Sequence, residues 1–197
     1  MSTYINISKS DQRFFDELYP LAHPGQSSLH KRTIKHQLHT GQLNIPGLLE
    51  TAISQVGHLT RVNANGMDFT DGSDAKKTTV RWHSNGKSFA APVSRVHNKI
   101  GVLRVMCYNR QLDKFHYFLI PRSAYAHIDS TSNIEIPFMR DGTPQKSPGR
   151  LNCSPYKSAQ SWWDYEVDSF AELSKPMPTV NVSKSYLIKS TFNSLFA

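Results

Sequence analysis

Two apolar runs place the strongest constraint on the fold. Gly101-Val102-Leu103-Arg104-Val105-Met106-Cys107-Tyr108 and Lys114-Phe115-His116-Tyr117-Phe118-Leu119-Ile120-Pro121 are separated by Asn109 to Asp113, a turn-forming stretch. Both runs are nearly continuous in hydrophobicity and rich in β-branched and aromatic residues, the pattern of strands in the middle of a sheet. The chain has 197 residues, enough for one domain with a real core. The expected fold is an α/β domain: a mixed central sheet over residues 67–120 with helices packed against it. Residues 1–175 are read as a single domain. Residues 176–197, polar with scattered hydrophobics, are read as a C-terminal extension.

Three helices are expected before the sheet. Ser10 or Asp11 would cap the first, which carries Phe14, Phe15, Leu18 and Tyr19 on one side and ends at Pro20 and Pro24-Gly25. Ser27 to His39 reads as the second, with a thin apolar stripe of Leu29, Ile34 and Leu38. Ile45 to Gly57 is the third, with Pro46 at its first turn and Leu49, Ala52, Ile53 and Val56 at core spacing. Short strands follow at 58–62, 67–70 and 74–82, the last two joined as a hairpin by Asp71-Gly72-Ser73. Ser84-Asn85-Gly86 leads into Lys87 to Val96, a second hairpin. Glu135 to Phe138 is extended, and Arg140 to Tyr156 is loop. Trp162 to Leu173 is expected to be a last helix, with Trp163, Val167, Phe170 and Leu173 inward and Asp164, Glu166, Asp168 and Glu172 on a solvated face.

Charge narrows the function. The net charge is +8 and the isoelectric point near 9.5, an excess that favours a polyanionic partner. The first six residues lack the apolar core of a signal peptide, and no stretch approaches the ~20 apolar residues of a membrane span. A cytoplasmic protein that binds nucleic acid, not membrane, is the expectation. Cys107 and Cys153 have no metal-ligand spacing and no disulfide framework; Cys107 reads as a buried small hydrophobe.

The acids are distributed unevenly. No Asp or Glu occurs from Leu18 to Leu49, nor from Ala75 to Leu112. Between these arms lie only Glu50, Asp68, Asp71 and Asp74, followed by Lys76. The flanking arms hold the basic residues: Lys31, Arg32 and Lys35 on the second helix, then Lys77, Arg81, Lys87, Arg95 and Lys99. A small acidic cluster between basic arms suits a site that holds a divalent cation and receives a polyanion. Asp74 and Lys76, two apart on one strand, project from the same face. Asp is also a favoured turn former, and turn formation alone would account for Asp71-Gly72.

The order of helix with Glu50, strand with Asp68, turn, then Asp74-Ala75-Lys76 resembles the PD-(D/E)xK nuclease superfamily, to which many type II restriction endonucleases belong. The resemblance covers roughly Ile45 to Pro121. It implies a restriction-endonuclease-like fold, hydrolysis of DNA phosphodiesters and Mg²⁺ as cofactor. It implies that Asp74 and Asp68, or else Asp71, are the metal-binding acids, that Lys76 orients or activates the attacking water, and that Glu50 completes the metal shell. Strand alternation with a compact turn favours Asp68 over Asp71. It further implies double-stranded DNA as substrate and a homodimer, with the basic residues above as DNA contacts. A histidine-based site of the HNH kind, on His97-Asn98 and His116, needs a ββα unit, and a strand rather than a helix is expected after Asn98. The alternative function is a non-catalytic basic DNA-binding protein, such as a repressor or a phage accessory module.

Overall fold

A computed structural model of the chain describes residues 6–64, 66–82, 89–146, 155–156 and 160–178. The two apolar runs form the middle of a four-stranded mixed sheet. Its order is β3 (Asp74–Thr79), β6 (Leu103–Asn109), β7 (Lys114–Ile120) and β9 (Glu166–Val167). β3 runs parallel to β6, with Asp74 opposite Leu103 and Lys76 opposite Val105. The β6–β7 and β7–β9 pairs are antiparallel.

All seven residues of β6 are buried, because both faces of the sheet are covered. Ala75, Met106, Tyr108, Tyr117 and Leu119 face helices α1 (Lys9–Ala22) and α3 (Ile45–Gly57), joining Phe14, Phe15, Leu18, Leu49, Ala52 and Ile53. Leu103, Val105, Cys107, Phe118 and Ile120 face the other way. There they meet a three-stranded antiparallel sheet of β4 (Arg81–Trp82), β5 (Phe89–Val93) and β8 (Ile134–Phe138), together with Tyr125, Trp162 and Trp163. Alternate residues on one strand therefore enter different cores, and burial of each large apolar side chain contributes about 1.5–3 kcal/mol.

Several local expectations are corrected. α1 starts one turn early, capped by Ser8, whose hydroxyl accepts the Asp11 N–H at 3.0 Å. It also runs through Pro20 to Ala22, because Pro20 lies on the exposed side of the last turn, where a missing N–H is cheap. α2 (Ser28–His39) is capped by Ser27 and buries only Leu38. Met67–Phe69 (β2) does not pair with β3. It pairs with β1 (Arg61–Ala64), and the turn at Gly72 instead hands the chain from that small ribbon to the main sheet. The 74–82 segment splits after Thr79, its last two residues joining the second sheet.

The expected helix over 162–173 is a 3₁₀ turn (Trp162–Tyr165), then β9, then the short helix α5 (Phe170–Ser174). Its four inward positions are inward, and Asp164, Glu166 and Asp168 are exposed as expected, with Glu172 half-buried. Asp164 accepts the Ser161 N–H in a capping box, Glu166 pairs with His116, and Glu172 accepts the Asp168 N–H. Tertiary pairing of Val167 with Tyr117 outweighs the local helical pattern. The turn at 84–86 lies outside the described residues.

Candidate active site

Alternation along β3 divides its side chains. Ala75 and Lys77 face the helices; Asp74, Lys76 and Thr78 face the second sheet, where the Thr78 hydroxyl donates to the Pro92 carbonyl at 2.6 Å. Asp74 opens the strand and is only 1% exposed. Lys76 Nζ lies 2.8 Å from its Oδ2, and Lys99 Nζ contacts its Oδ1. Neither carboxylate oxygen accepts a hydrogen bond of good geometry, so the contacts are ionic rather than directional. Two ammonium groups thus share one buried carboxylate.

Lys99 reaches this position on the segment between β5 and β6, which presses against the turns that carry the acids. A Cβ on Gly101 would lie 2.1 Å from the Gly72 carbonyl oxygen. Gly66, at φ +88°, would put one 2.7 Å from the Asn98 oxygen. Both positions require glycine for that close approach. The Asp74 N–H donates to the Val102 carbonyl at 2.9 Å and fixes the register beside the site.

Asp68, on β2, accepts the Ala75 N–H through Oδ2 at 2.8 Å. One backbone amide therefore ties the first acid to the residue between Asp74 and Lys76. Burial raises the Asp68 carboxyl above its ordinary value, and the charges of Asp74 and Glu50 add to this; the Ala75 amide and Lys99 oppose it. Glu50, from α3, belongs to the same electrostatic neighbourhood but is engaged by Arg61 in an ion pair. Among the described residues no three His, Cys, Asp or Glu side chains are gathered as a metal shell. Of the three expected acids, Asp68 is tied to the amide next to Asp74, and Glu50 is paired with Arg61.

Asp71 stands elsewhere. Its Oδ2 lies 2.6 Å from Nη2 of Arg104, which is fully buried, and accepts the Met177 N–H at 3.0 Å. Its Oδ1 accepts from the Ser73 hydroxyl and amide. Burial pushes its carboxyl up, but the Ser73 and Met177 hydrogen bonds and the Arg104 charge outweigh that and hold it below the ordinary value. Asp71, the alternative first acid, neutralises a buried guanidinium on the helix side of the sheet. The Arg104 guanidinium also donates to the Lys175 carbonyl at 2.9 Å, so the segment through Met177 is tied to the domain.

The basic residues separate into three groups. Lys31, Arg32 and Lys35 are exposed on α2, as are Arg81 and Arg95. Lys77 and Lys99 are engaged within the fold, Lys77 with Asp11 at 2.6 Å and over the Phe14 ring. Lys87 lies outside the described residues. Arg81 also lines an open cleft of about 480 Å³ with Thr78, Ser94, Arg110 and Asn133. Arg110 donates to the Ser10 hydroxyl at 2.8 Å. The cleft begins where the Asp74–Lys76–Thr78 face of β3 ends, about 13 Å along the strand from Asp74.

His116 is 3% exposed, paired with Glu166 at 2.6 Å and set edge-on against Trp163 and Phe138. Burial lowers its proton affinity despite Glu166. It is a core residue, whereas His97-Asn98 is an exposed turn. Sequence reasoning placed Lys99 among the DNA contacts and missed its contact with Asp74; the only hint was its place in a long stretch without acids.

Comparison with known proteins found no matching family model, curated protein or solved structure. The chemistry of the donors nevertheless fits a small divalent cation. Asp68 and Asp74 are adjacent hard carboxylates, and neither oxygen of Asp74 is committed to a hydrogen bond. Mg²⁺ commonly takes only one or two protein carboxylates and completes its shell with water and substrate phosphate. No described helix is long and apolar enough to cross a membrane.

Proposed function

We propose that the chain is a Mg²⁺-dependent endonuclease that hydrolyses phosphodiester bonds in double-stranded DNA, with a restriction-endonuclease-like arrangement and action as a homodimer. One observation carries the reading. Asp74 and Lys76 share a face of β3, and the amide between them holds Asp68 beside them. Asp68 and Asp74 would hold the cation. Bound there, magnesium would neutralise charge on the phosphorane and leaving oxygens and lower the pKa of a coordinated water.

The chain's own groups do the rest. Asp74 holds the Lys76 ammonium 2.8 Å away, where it would donate to the attacking water or to a phosphate oxygen. Arg81, Arg110 and the α2 residues Lys31, Arg32 and Lys35 supply positive charge for the flanking backbone.

Plasmid cleavage tests the reading. Purified protein should nick or linearise DNA with Mg²⁺ and stop with EDTA. Lys76→Ala should slow cleavage by about 10²–10³-fold, and Asp74→Ala should abolish it. Binding without cutting under any divalent metal would reject the enzyme.

The rival is a basic DNA-binding module without catalysis. It is favoured by one fact: Asp74 is already flanked by two lysines, so its charge needs no metal. On that reading Asp74→Asn changes stability and leaves DNA affinity intact.

A further inference from the structure

We propose that Lys99 is the resident counter-ion of Asp74 and yields that place to a divalent cation when a phosphodiester enters the site. The inference rests on the nuclease reading for the identity of the phosphodiester, and on the structure for the exchange.

One lysine would suffice to neutralise Asp74. Lys76 does so from the same strand at 2.8 Å, and its backbone is fixed by pairing with β6. Lys99 is a second ammonium on a carboxylate 1% exposed, with its own side chain 14% exposed. Two like charges on one buried anion repel each other unless further negative charge is near. That charge is Asp68. Asp68 accepts the amide of Ala75, the residue next to Asp74, and Lys99 contacts Oδ1 of Asp74. Lys99 therefore occupies the carboxylate oxygen that a cation in this site would use.

The two lysines also differ in how they are held. The loop backbone of Lys99 is fixed by the close approaches at Gly66 and Gly101, while its four-carbon stem is flexible. The ammonium can swing away without moving the loop. In the exchange a divalent cation enters and the Lys99 ammonium swings out. The site gains net positive charge, and a phosphodiester is the anion that receives both the metal and the freed ammonium. Metal affinity should therefore be weak in the free protein and rise when DNA binds, with DNA affinity rising reciprocally.

Titration calorimetry with Mn²⁺ on the full chain tests this, using wild type, Lys99→Met and Lys99→Gln, with and without a duplex of non-cleavable phosphorothioate linkages. Thermal unfolding in chelator identifies which variant is folded, and either folded variant carries the test. Without DNA the variant should bind Mn²⁺ about tenfold or more tightly than wild type. The duplex should tighten Mn²⁺ binding to wild type by a similar factor and to the variant far less. A variant that binds no more tightly than wild type, or absence of Mn²⁺ binding in both, overturns the exchange. Tighter binding by the variant with no cleavage by any form upholds the exchange and removes the nuclease reading. Cleavage by wild type with metal affinity unchanged in the variant does the reverse.

Discussion

Asp68, Asp71 and Asp74 are three like residues on and between two successive strands, and the fold gives them three different fates. Asp71 is spent on Arg104, a guanidinium with no exposed surface that would be costly without a partner. Asp74 is held between two lysines. Asp68 has its carboxyl raised, by burial first and then by Asp74 and Glu50. The sign follows from that direction. A folded-state value above the ordinary 3.8 gives a contribution fully present below 3.8 and lost as pH rises through the folded value. Asp68→Asn keeps an acceptor for the Ala75 amide and removes the ionisation. It should leave stability unchanged below pH 3.8 and raise it at neutral pH. Melting curves across that range check this; a variant destabilised at neutral pH would show that the Asp68 charge is favourable in the fold.

At the scale of elements, the site is assembled by three pieces of backbone rather than one. β3 presents Asp74 and Lys76, the β1–β2 ribbon presents Asp68, and the loop between β5 and β6 presents Lys99. The ribbon and the loop are clamped together by glycine contacts, and Gly101 is the tighter one. Gly101→Ala would drive its Cβ to 2.1 Å from the Gly72 oxygen, backbone against side chain with no flexible end to yield. It should cost about 1–3 kcal/mol. It should also push Lys99 off Asp74, seen as a stronger stabilisation by Mn²⁺ in thermal unfolding than wild type shows. An unchanged melting temperature would show that the loop does not press on the turn.

At the scale of the molecule, positive charge is divided between structural and available groups. Lys77, Lys99 and Arg104 are consumed inside the fold. α2 buries one residue and offers Lys31, Arg32 and Lys35 to solvent. If that helix lies on DNA, each phosphate contact adds about 0.9 to the slope of log affinity against log salt. Replacing all three by alanine should lower the slope by about 2.7. Filter binding or anisotropy over a salt series reads it directly, and an unchanged slope would move the DNA contact to the cleft of Arg81 and Arg110.

The sequence by itself determined whatever depends on neighbours along the chain. The central strands followed from their continuous apolar runs, and the three N-terminal helices from their spacing and breakers. Asp74 and Lys76 fell on one face because side chains alternate along a strand. Where a local pattern had two outcomes it misled, as at Trp162 to Leu173, whose inward residues suit a helix or a turn and strand equally. Only the tertiary structure decided the partners: Asp71 with Arg104, 33 residues away, and Asp74 with Lys99 across the β5–β6 crossover. The reason is physical. Periodicity fixes which way a side chain points, but what it meets there depends on how separate segments close on one another, and at this site that closure chose which acids were neutralised and which lysine lies between them.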